Sequence, residues 1–143
     1  MNAFENYFHS LQGKKIAVLG LGVSNRPLVR LLLEYGCDVT GCDKTPREKL
    51  DGEVLALEAA GCRLCVGEGY LDEVSADVVF RTPGMHPNVP AICRLREQGA
   101  EITSEMDVFF QVAPCHLIAV TGSDGKTTTT TLISKFYEAA GRK

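Results

Sequence analysis

Residues 15–25 read KIAVLGLGVSN, and this stretch decides the fold class of the chain. Its first half, 15–20, is a short apolar run that ends in glycine, as expected of a buried strand in a parallel sheet. Gly20 and Gly22 then permit a tight turn, and the apolar spacing after them predicts a helix over 26–35. A strand, a glycine turn and a helix in this order are typical of folds that hold a phosphate group at the turn.

Predicted strands and helices alternate along the rest of the chain. Further strands are predicted at 38–42, 63–66, 76–80, 101–103 and 116–120. Further helices are predicted at 47–60, 89–98 and 126–140, and Ser104 is placed to cap another that runs through residue 112. Such alternation predicts parallel strands joined by right-handed crossovers. We therefore predict an α/β fold, in which a Rossmann-like parallel sheet carries helices on both faces.

The turn at 20–25 has the pattern G-x-G-x-x-N and is a candidate phosphate site. Free N–H groups at the start of a helix attract anions, and glycines let a phosphate approach the backbone closely. Asp43 ends the next predicted strand, where a carboxylate can bind the sugar or base of a nucleotide. Asn25 replaces the third glycine of dinucleotide-binding sequences, which weakens an interpretation as an NAD site. A glycine turn without a ligand, with Asp43 as a helix cap, is the simpler alternative.

A second glycine loop, at 121–128, reads TGSDGKTT and follows the apolar run at 116–120. Its successive N–H groups can surround phosphates, Lys126 can place an ammonium group on the outer phosphates, and Thr127 can offer a hydroxyl to Mg²⁺. The pattern G-x-x-G-K-T is shorter than the standard phosphate loop, because Val120 stands where that loop has its first glycine. The alternative is a capped helix start with a solvated Lys126, although a lysine at a helix N-terminus is electrostatically unfavourable.

Two glycine loops indicate two domains. We place a Rossmann-like domain at 1–104 and the truncated start of a P-loop ATP-binding domain at 105–143. An apolar strand at 116–120 would have unpaired edges without the rest of such a domain. We therefore expect the residues after about 104 to be partly disordered, packed on a second copy or rearranged.

The composition narrows the class of protein further. Hydrophobic residues make up 45% and charged residues 23% of the 143 residues, as in ordinary globular domains. A net charge of −3 argues against a nucleic-acid partner, and no apolar run is long enough for a membrane helix.

Residues 1–14 lack the pattern of a signal peptide, so we expect a cytoplasmic protein whose six cysteines stay reduced. Cys62 and Cys65 form a C-x-x-C, yet no second ligand pair follows, so no zinc site is predicted.

Three sequence motifs together resemble the Mur ligase family. They are VLGLGVSN at 18–25, TPG at 82–84 with Pro87 and Pro90 after it, and TGSDGKTT at 121–128. The resemblance implies a Rossmann-like domain that holds the UDP part of the substrate, a central P-loop ATPase domain and a carboxyl-terminal domain. Within the family, the first loop and the short leader before it favour the member that adds D-glutamate.

The resemblance also implies which residues bind each ligand. The UDP-sugar would contact Gly22, Val23, Ser24, Asn25, Asp43, Lys44, Thr45 and Gly84. ATP would lie on Gly122, Ser123, Asp124, Gly125, Lys126, Thr127 and Thr128. Lys126 would be the catalytic residue and Thr127 a ligand of Mg²⁺, while Asp43 would bind uracil and Gly84 would approach the pyrophosphate. Asp124 stands where the family more often has asparagine, and its role is left open because a carboxylate there would repel phosphate.

The implied chemistry is carboxylate activation in peptidoglycan synthesis. ATP would phosphorylate the terminal carboxylate of UDP-N-acetylmuramoyl-L-alanine, and the amine of D-glutamate would then displace the phosphate. The other metal ligands and the D-glutamate site would follow residue 143, so we expect this chain alone to be inactive. We expect a monomeric parent enzyme, and a fragment that can self-associate.

Three alternatives stay open. A nicotinamide-dependent oxidoreductase would use Gly20, Gly22 and Asp43, but it leaves the second glycine loop unexplained. A non-enzymatic nucleotide-binding regulator would need only the first loop. A Mur ligase that adds a different amino acid would share every motif quoted above.

Overall fold

Five parallel strands form a single sheet in the computed structural model of the chain, which describes residues 2–142. The strands are β1 Lys15–Leu19, β2 Asp38–Asp43, β3 Arg63–Val66, β4 Val78–Arg81 and β5 Glu101–Thr103. Their order in the sheet is β3-β2-β1-β4-β5, and each neighbouring pair is parallel. This arrangement confirms the predicted α/β, Rossmann-like fold class.

Helices cover both faces of the sheet, as predicted. The helices are α1 Ala3–Ser10, α2 Arg26–Glu34, α3 Gly52–Ala59, α4 Pro90–Glu97, α5 Glu105–Val112 and α6 Lys126–Ala139, of which α1 to α5 place buried side chains against the sheet. Alternate residues of β1 pack on opposite faces of the sheet, because successive side chains of a strand point to opposite sides. Ile16 and Val18 pack in one core with residues of α1, α2, α3 and α5, whereas Ala17 and Leu19 pack in a second core with α4.

Helix α1 is an element that the sequence analysis did not predict. Its start is a capping box, in which the Asn2 side chain accepts from the N–H of Glu5 and the Glu5 carboxylate accepts from the N–H of Asn2. Phe8 is buried in the first core, with Leu11 just after the helix. The helix therefore covers one face of the sheet next to α2 and α5.

The predicted helix at 47–60 is divided in two. A short 3-10 turn, Arg47–Lys49, is followed by extended backbone at Leu50, and α3 begins only after Asp51. The Asp51 carboxylate accepts from the N–H groups of Glu53 and Val54, both at 3.1 Å, and so caps the new helix. A single helix through this region was the wrong prediction, because Asp51 makes a better N-cap than an interior residue.

The predicted strand at 116–120 is also wrong, because this segment joins no ladder of the described sheet. Its side chains lie near the surface, with Ile118 53% exposed. Apolar composition indicates a tendency to be buried, but a strand also needs a neighbouring strand to pair its N–H and C=O groups.

Two helices follow the predicted domain boundary at residue 104, and they differ in packing. Ser104 caps α5 as predicted, and Val108 of α5 is buried in the same core as Ile16. Helix α6, in contrast, has no buried residue within the described chain. The boundary itself stays a prediction, with α5 packed on the Rossmann-like unit. No helix within residues 2–142 is long and apolar enough to cross a membrane.

Candidate nucleotide-binding site

The carboxyl ends of β1, β2 and β4 meet at one edge of the sheet. Leu19, at the end of β1, is paired with Cys42 of β2 on one side and with Arg81 of β4 on the other. The chain runs from β1 outward to β3 and then returns to β4 on the opposite side, so β1 and β4 border a topological switch point. Open α/β sheets bind ligands in the crevice at such a point. The loops predicted to bind the UDP-sugar all begin at this edge.

The first glycine turn is held close to both neighbouring strands. The N–H of Gly20 donates to the carbonyl of Cys42 at 2.7 Å, and the N–H of Thr82 donates to the carbonyl of Leu19 at 3.1 Å. Gly20 has a φ of 91°, and a Cβ there would lie 3.3 Å from the Thr82 side chain. A glycine is therefore required for both its backbone conformation and the close approach of the loop after β4.

Asn25 closes the turn from the inside. Its side chain is buried, and its Nδ2 donates to the carbonyls of Gly20 at 2.8 Å and of Leu19 at 3.3 Å. The amide thus pairs two successive carbonyls at the start of the glycine turn. Asn25 stands where dinucleotide-binding turns have their third glycine, and its Nδ2 is engaged with two backbone carbonyls.

Asp43 connects the glycine turn to the loop after β2. Its Oδ2 accepts from the N–H of Leu21 at 2.7 Å, and its Oδ1 accepts from the N–H of Thr45 at 2.9 Å. Burial alone would raise the pKa of Asp43, but the hydrogen bonds from Leu21 and Thr45, with the positive charge of Lys44, outweigh it and hold that pKa below its ordinary value. The carboxylate is therefore ionised at neutral pH and orients both loops.

Three successive N–H groups of the turn remain available to a ligand. Within residues 2–142, the N–H groups of Gly22, Val23 and Ser24 donate no hydrogen bond. All three residues are exposed, and the Val23 side chain is 80% exposed although it is apolar. Unpaired N–H groups before a helix form an anion-binding concavity. The turn can therefore accept a phosphate or diphosphate group, with Val23 free to contact a neighbouring sugar.

The other residues predicted to bind the UDP-sugar border the same edge. Lys44 is exposed and Thr45 half-buried in the loop after β2, next to Asp43. Gly84 is exposed in the loop after β4, and no atom outside its immediate neighbours would contact a Cβ placed there. That loop is shaped by hydrogen bonds from the N–H of Met85 to the carbonyl of Thr82 and from Arg81 to the carbonyl of Met85.

The second glycine loop, Gly122–Gly125, precedes α6. Gly125 has a φ of 75° and occupies the N-cap position, where the left-handed conformation favours glycine. The Nζ of Lys126 donates to the carbonyls of Gly122 at 2.6 Å and of Ser123 at 3.3 Å, so the loop curves around the ammonium group. Asp124, Thr127 and Thr128 are exposed on the same loop and first turn. The structure thus brings the residues predicted to bind ATP together as one exposed loop.

Arg26 is a site residue that the sequence analysis missed. Its Nε donates to the carbonyl of Leu21 at 3.0 Å, and its guanidinium also contacts Asp51 and Glu53. One signal was present in the sequence, because a cation in the first turn of a helix is unfavourable unless an anion is near. The identity of its partners depends on where α3 begins, and that position was predicted wrongly.

These features define a class of protein, namely a Rossmann-like α/β unit with a preformed glycine turn at its switch point. No protein-family model matches the chain. Its sequence is 45% identical over 145 residues to UDP-N-acetylmuramoylalanine–D-glutamate ligase from Acetivibrio thermocellus and 44% identical over 143 residues to that of Ruminiclostridium cellulolyticum. The chain is therefore a homologue of Mur ligases, as its three motifs predicted. The matches cover 100% and 99% of this chain but 31% of each relative, so the chain spans about a third of their length.

Solved structures agree with the sequence similarity. The chain is similar to UDP-N-acetylmuramate–alanine ligase from Thermotoga maritima, with a TM-score of 0.56 and 25% identity over 87% of this chain and 29% of that one. It is also similar to a murein peptide ligase from Psychrobacter arcticus, with a TM-score of 0.55 and 29% identity over 90% of this chain and 27% of that one. Both structures support the Rossmann-like fold of the chain.

Proposed function

We propose that the chain is the substrate-binding part of an ATP-dependent ligase that adds D-glutamate to UDP-N-acetylmuramoyl-L-alanine during peptidoglycan synthesis. The names of the sequence relatives support the reaction class and the amino acid. One observation of the structure carries the proposal: three unpaired N–H groups, at Gly22, Val23 and Ser24, lie at the switch point of the sheet. A UDP-sugar has a diphosphate between its base and its sugar, and the turn offers an anion site of this kind.

The remaining residues of the edge suit the other parts of this ligand. In the proposed complex, the uracil lies against the loop of Asp43, Lys44 and Thr45, and the diphosphate lies on the glycine turn. Gly84 lets the loop after β4 approach the diphosphate closely, since no side chain stands between them. Asn25 supports the turn from inside, because its Nδ2 is already engaged with two carbonyls.

The second glycine loop is the proposed ATP site. Lys126 would exchange its contacts with the carbonyls of Gly122 and Ser123 for phosphate oxygens, and so stabilise negative charge on the transferring group. Thr130 and Thr131 donate to carbonyls one turn earlier, but within residues 2–142 the Thr127 hydroxyl forms no hydrogen bond of this kind. A hard oxygen donor at that position suits Mg²⁺, so the residues present fit the metal. When bound, ATP and Mg²⁺ would supply the phosphoryl group and its charge compensation.

The proposed reaction has two steps. An oxygen of the substrate's terminal carboxylate attacks the γ-phosphorus, which releases ADP and gives an acyl phosphate. The amine of D-glutamate then attacks the acyl carbon, inorganic phosphate leaves and the nitrogen loses a proton. Only the nucleotide-binding loops of this scheme lie within the chain, so we expect no turnover from the chain alone. We propose a cytoplasmic location and a monomeric ligase, and we propose that the isolated segment self-associates through the exposed side chains of α6.

Calorimetry with three ligands tests the proposal. We expect the chain to bind UDP-N-acetylmuramoyl-L-alanine and, more weakly, UDP, because both present a diphosphate to the glycine turn. NAD⁺ should bind more weakly than either uridine nucleotide, since Asn25 replaces the third glycine, which lets helix and strand pack closely in dinucleotide-binding turns. Binding of NAD⁺ with no response to either uridine nucleotide would favour an oxidoreductase and refute the proposed function.

A further inference from the structure

Arg26 contacts two parts of the molecule at once. It is the first residue of α2, and its side chain is only 14% exposed. The Nε donates to the carbonyl of Leu21 at 3.0 Å, within the glycine turn. The two terminal nitrogens donate to Glu53 at 2.7 Å and to Asp51 at 2.5 Å, both at the start of α3. The guanidinium therefore ties the turn after β1 to the first turn of another helix.

The contact with Leu21 controls the direction of a ligand-facing group. The carbonyl of Leu21 and the N–H of Gly22 belong to the same planar peptide unit, and in a trans peptide they point in opposite directions. A donor that holds the carbonyl toward the protein therefore holds the N–H of Gly22 outward. Asp43 fixes the preceding peptide unit, because its Oδ2 accepts from the N–H of Leu21 at 2.7 Å.

The two carboxylates keep Arg26 in this position. Their combined charge exceeds that of the guanidinium, and the hydrogen bonds to Glu53 and Asp51 also raise the pKa of Arg26. Three of its five N–H groups are engaged by protein acceptors, so the guanidinium is anchored beside the glycine turn. Asp51 also caps α3 through its Oδ1, so the support is itself fixed to a helix.

We propose that Arg26 is a positioning residue that, through the carbonyl of Leu21, aims the N–H of Gly22 at the diphosphate of a bound nucleotide. The inference rests on the proposed function, because it names how the same anion site is preorganised. Its effect is specific to the diphosphate: a ligand without phosphates gains nothing from the orientation of Gly22.

Substitution of Arg26 by methionine and by lysine tests this role. Methionine removes every donor, and lysine keeps the charge but lacks an N–H at the position of Nε. For both variants we expect UDP affinity to fall about tenfold, the size of effect of one charged hydrogen bond, while uridine affinity stays within about twofold. The control is Arg63→Met, which removes contacts with Asp38 at 2.7 Å and Thr40 at 3.3 Å near the amino ends of β2 and β3, at the opposite edge of the sheet, and should bind both ligands like the wild type.

Affinities are measured by calorimetry for UDP and by NMR titration for uridine, and the melting temperature of each variant checks its fold. Should Arg26→Met fail to fold, the double variant D51N/E53Q keeps Arg26 and an oxygen acceptor for the α3 cap, and about a threefold loss of UDP affinity is expected. Wild-type UDP affinity in a folded Arg26→Met variant, or in the folded double variant, overturns the inference, as does an equal loss for UDP and uridine. A wild-type chain that does not bind UDP refutes the proposed function itself, and the role of Arg26 with it.

Discussion

Replacement of Asp43 by asparagine probes the connection between the two loops at the carboxyl edge of the sheet. The substitution keeps the shape of the side chain but leaves one oxygen to serve two donors, the N–H of Leu21 at 2.7 Å and that of Thr45 at 2.9 Å. One backbone N–H would then face an NH₂ group. Loss of one hydrogen bond to a charged acceptor costs about 1.5–3 kcal/mol in the free energy of unfolding. For a chain of this size that corresponds to a decrease of about 5–10 °C in melting temperature.

The assay is urea and thermal denaturation at neutral pH, with Asp77→Asn as the matched control. Asp77 accepts from the N–H of Lys15 at 2.7 Å, so it forms a similar bond at the opposite end of β1. That hydrogen bond is exposed and is the only one that the Asp77 carboxylate accepts within residues 2–142. We expect its loss to lower the free energy of unfolding by less than about 1 kcal/mol. The control should leave UDP affinity unchanged, whereas Asp43→Asn should weaken it because the glycine turn loses a support.

The pH dependence gives a second check on the same residue. Because the pKa of Asp43 is lower in the folded protein than in the unfolded chain, its stabilising contribution is present above roughly pH 4 and decreases as the pH falls through the folded-state pKa. The difference in stability between wild type and Asp43→Asn should therefore shrink in acid. Equal melting temperatures at neutral pH, or equal effects of the two substitutions on UDP binding, would refute the reasoning.

Three further substitutions test separate parts of the structure. Gly41→Ala would place a Cβ 2.8 Å from the buried Leu21 side chain. We therefore expect the free energy of unfolding, measured by urea denaturation, to decrease by about 1–3 kcal/mol, and UDP binding to weaken. Ser104→Ala removes the hydroxyl that caps α5 by accepting from the N–H of Asp107 at 3.2 Å. The free energy of unfolding should decrease by about 1 kcal/mol, and ligand affinity should stay unchanged. Lys126→Ala should abolish ATP-dependent turnover in the complete ligase and leave the melting temperature of the chain unchanged, since the residue is exposed; retained turnover would contradict the proposed ATP site.

Sequence patterns predicted the central sheet well, because the short runs rich in apolar residues and the glycines that end them depend on local composition. The run at 15–20 and the strand at Arg63–Val66 are examples, and both lie where the apolar pattern placed them. Helix α1 was missed although its signals are present, namely Asn2 with Glu5 as a capping box and Phe8 buried below them. The segment at 116–120 shows the opposite error, since composition carries no information about whether a pairing partner exists.

The candidate site was predicted in position but not in its internal contacts. The location of Asp43 follows from its place at the end of a strand, yet its two hydrogen bonds depend on how the neighbouring turn is folded. Asn25 was interpreted only as a missing glycine, whereas its amide closes the turn by pairing two carbonyls. The contacts of Arg26 with Asp51 and Glu53 join residues far apart in sequence, so they require the packing of α2 beside α3.

The direct measurement of the central claim is the NMR response of individual backbone amides to UDP. Calorimetry reports that a nucleotide binds, but only the amide signals show which N–H groups receive the diphosphate. We predict that saturating UDP shifts the N–H signals of Gly22, Val23 and Ser24 most strongly, while uridine shifts them little and the N–H of Lys15, at the opposite edge, stays constant. Large shifts elsewhere with these three amides unchanged would contradict this prediction.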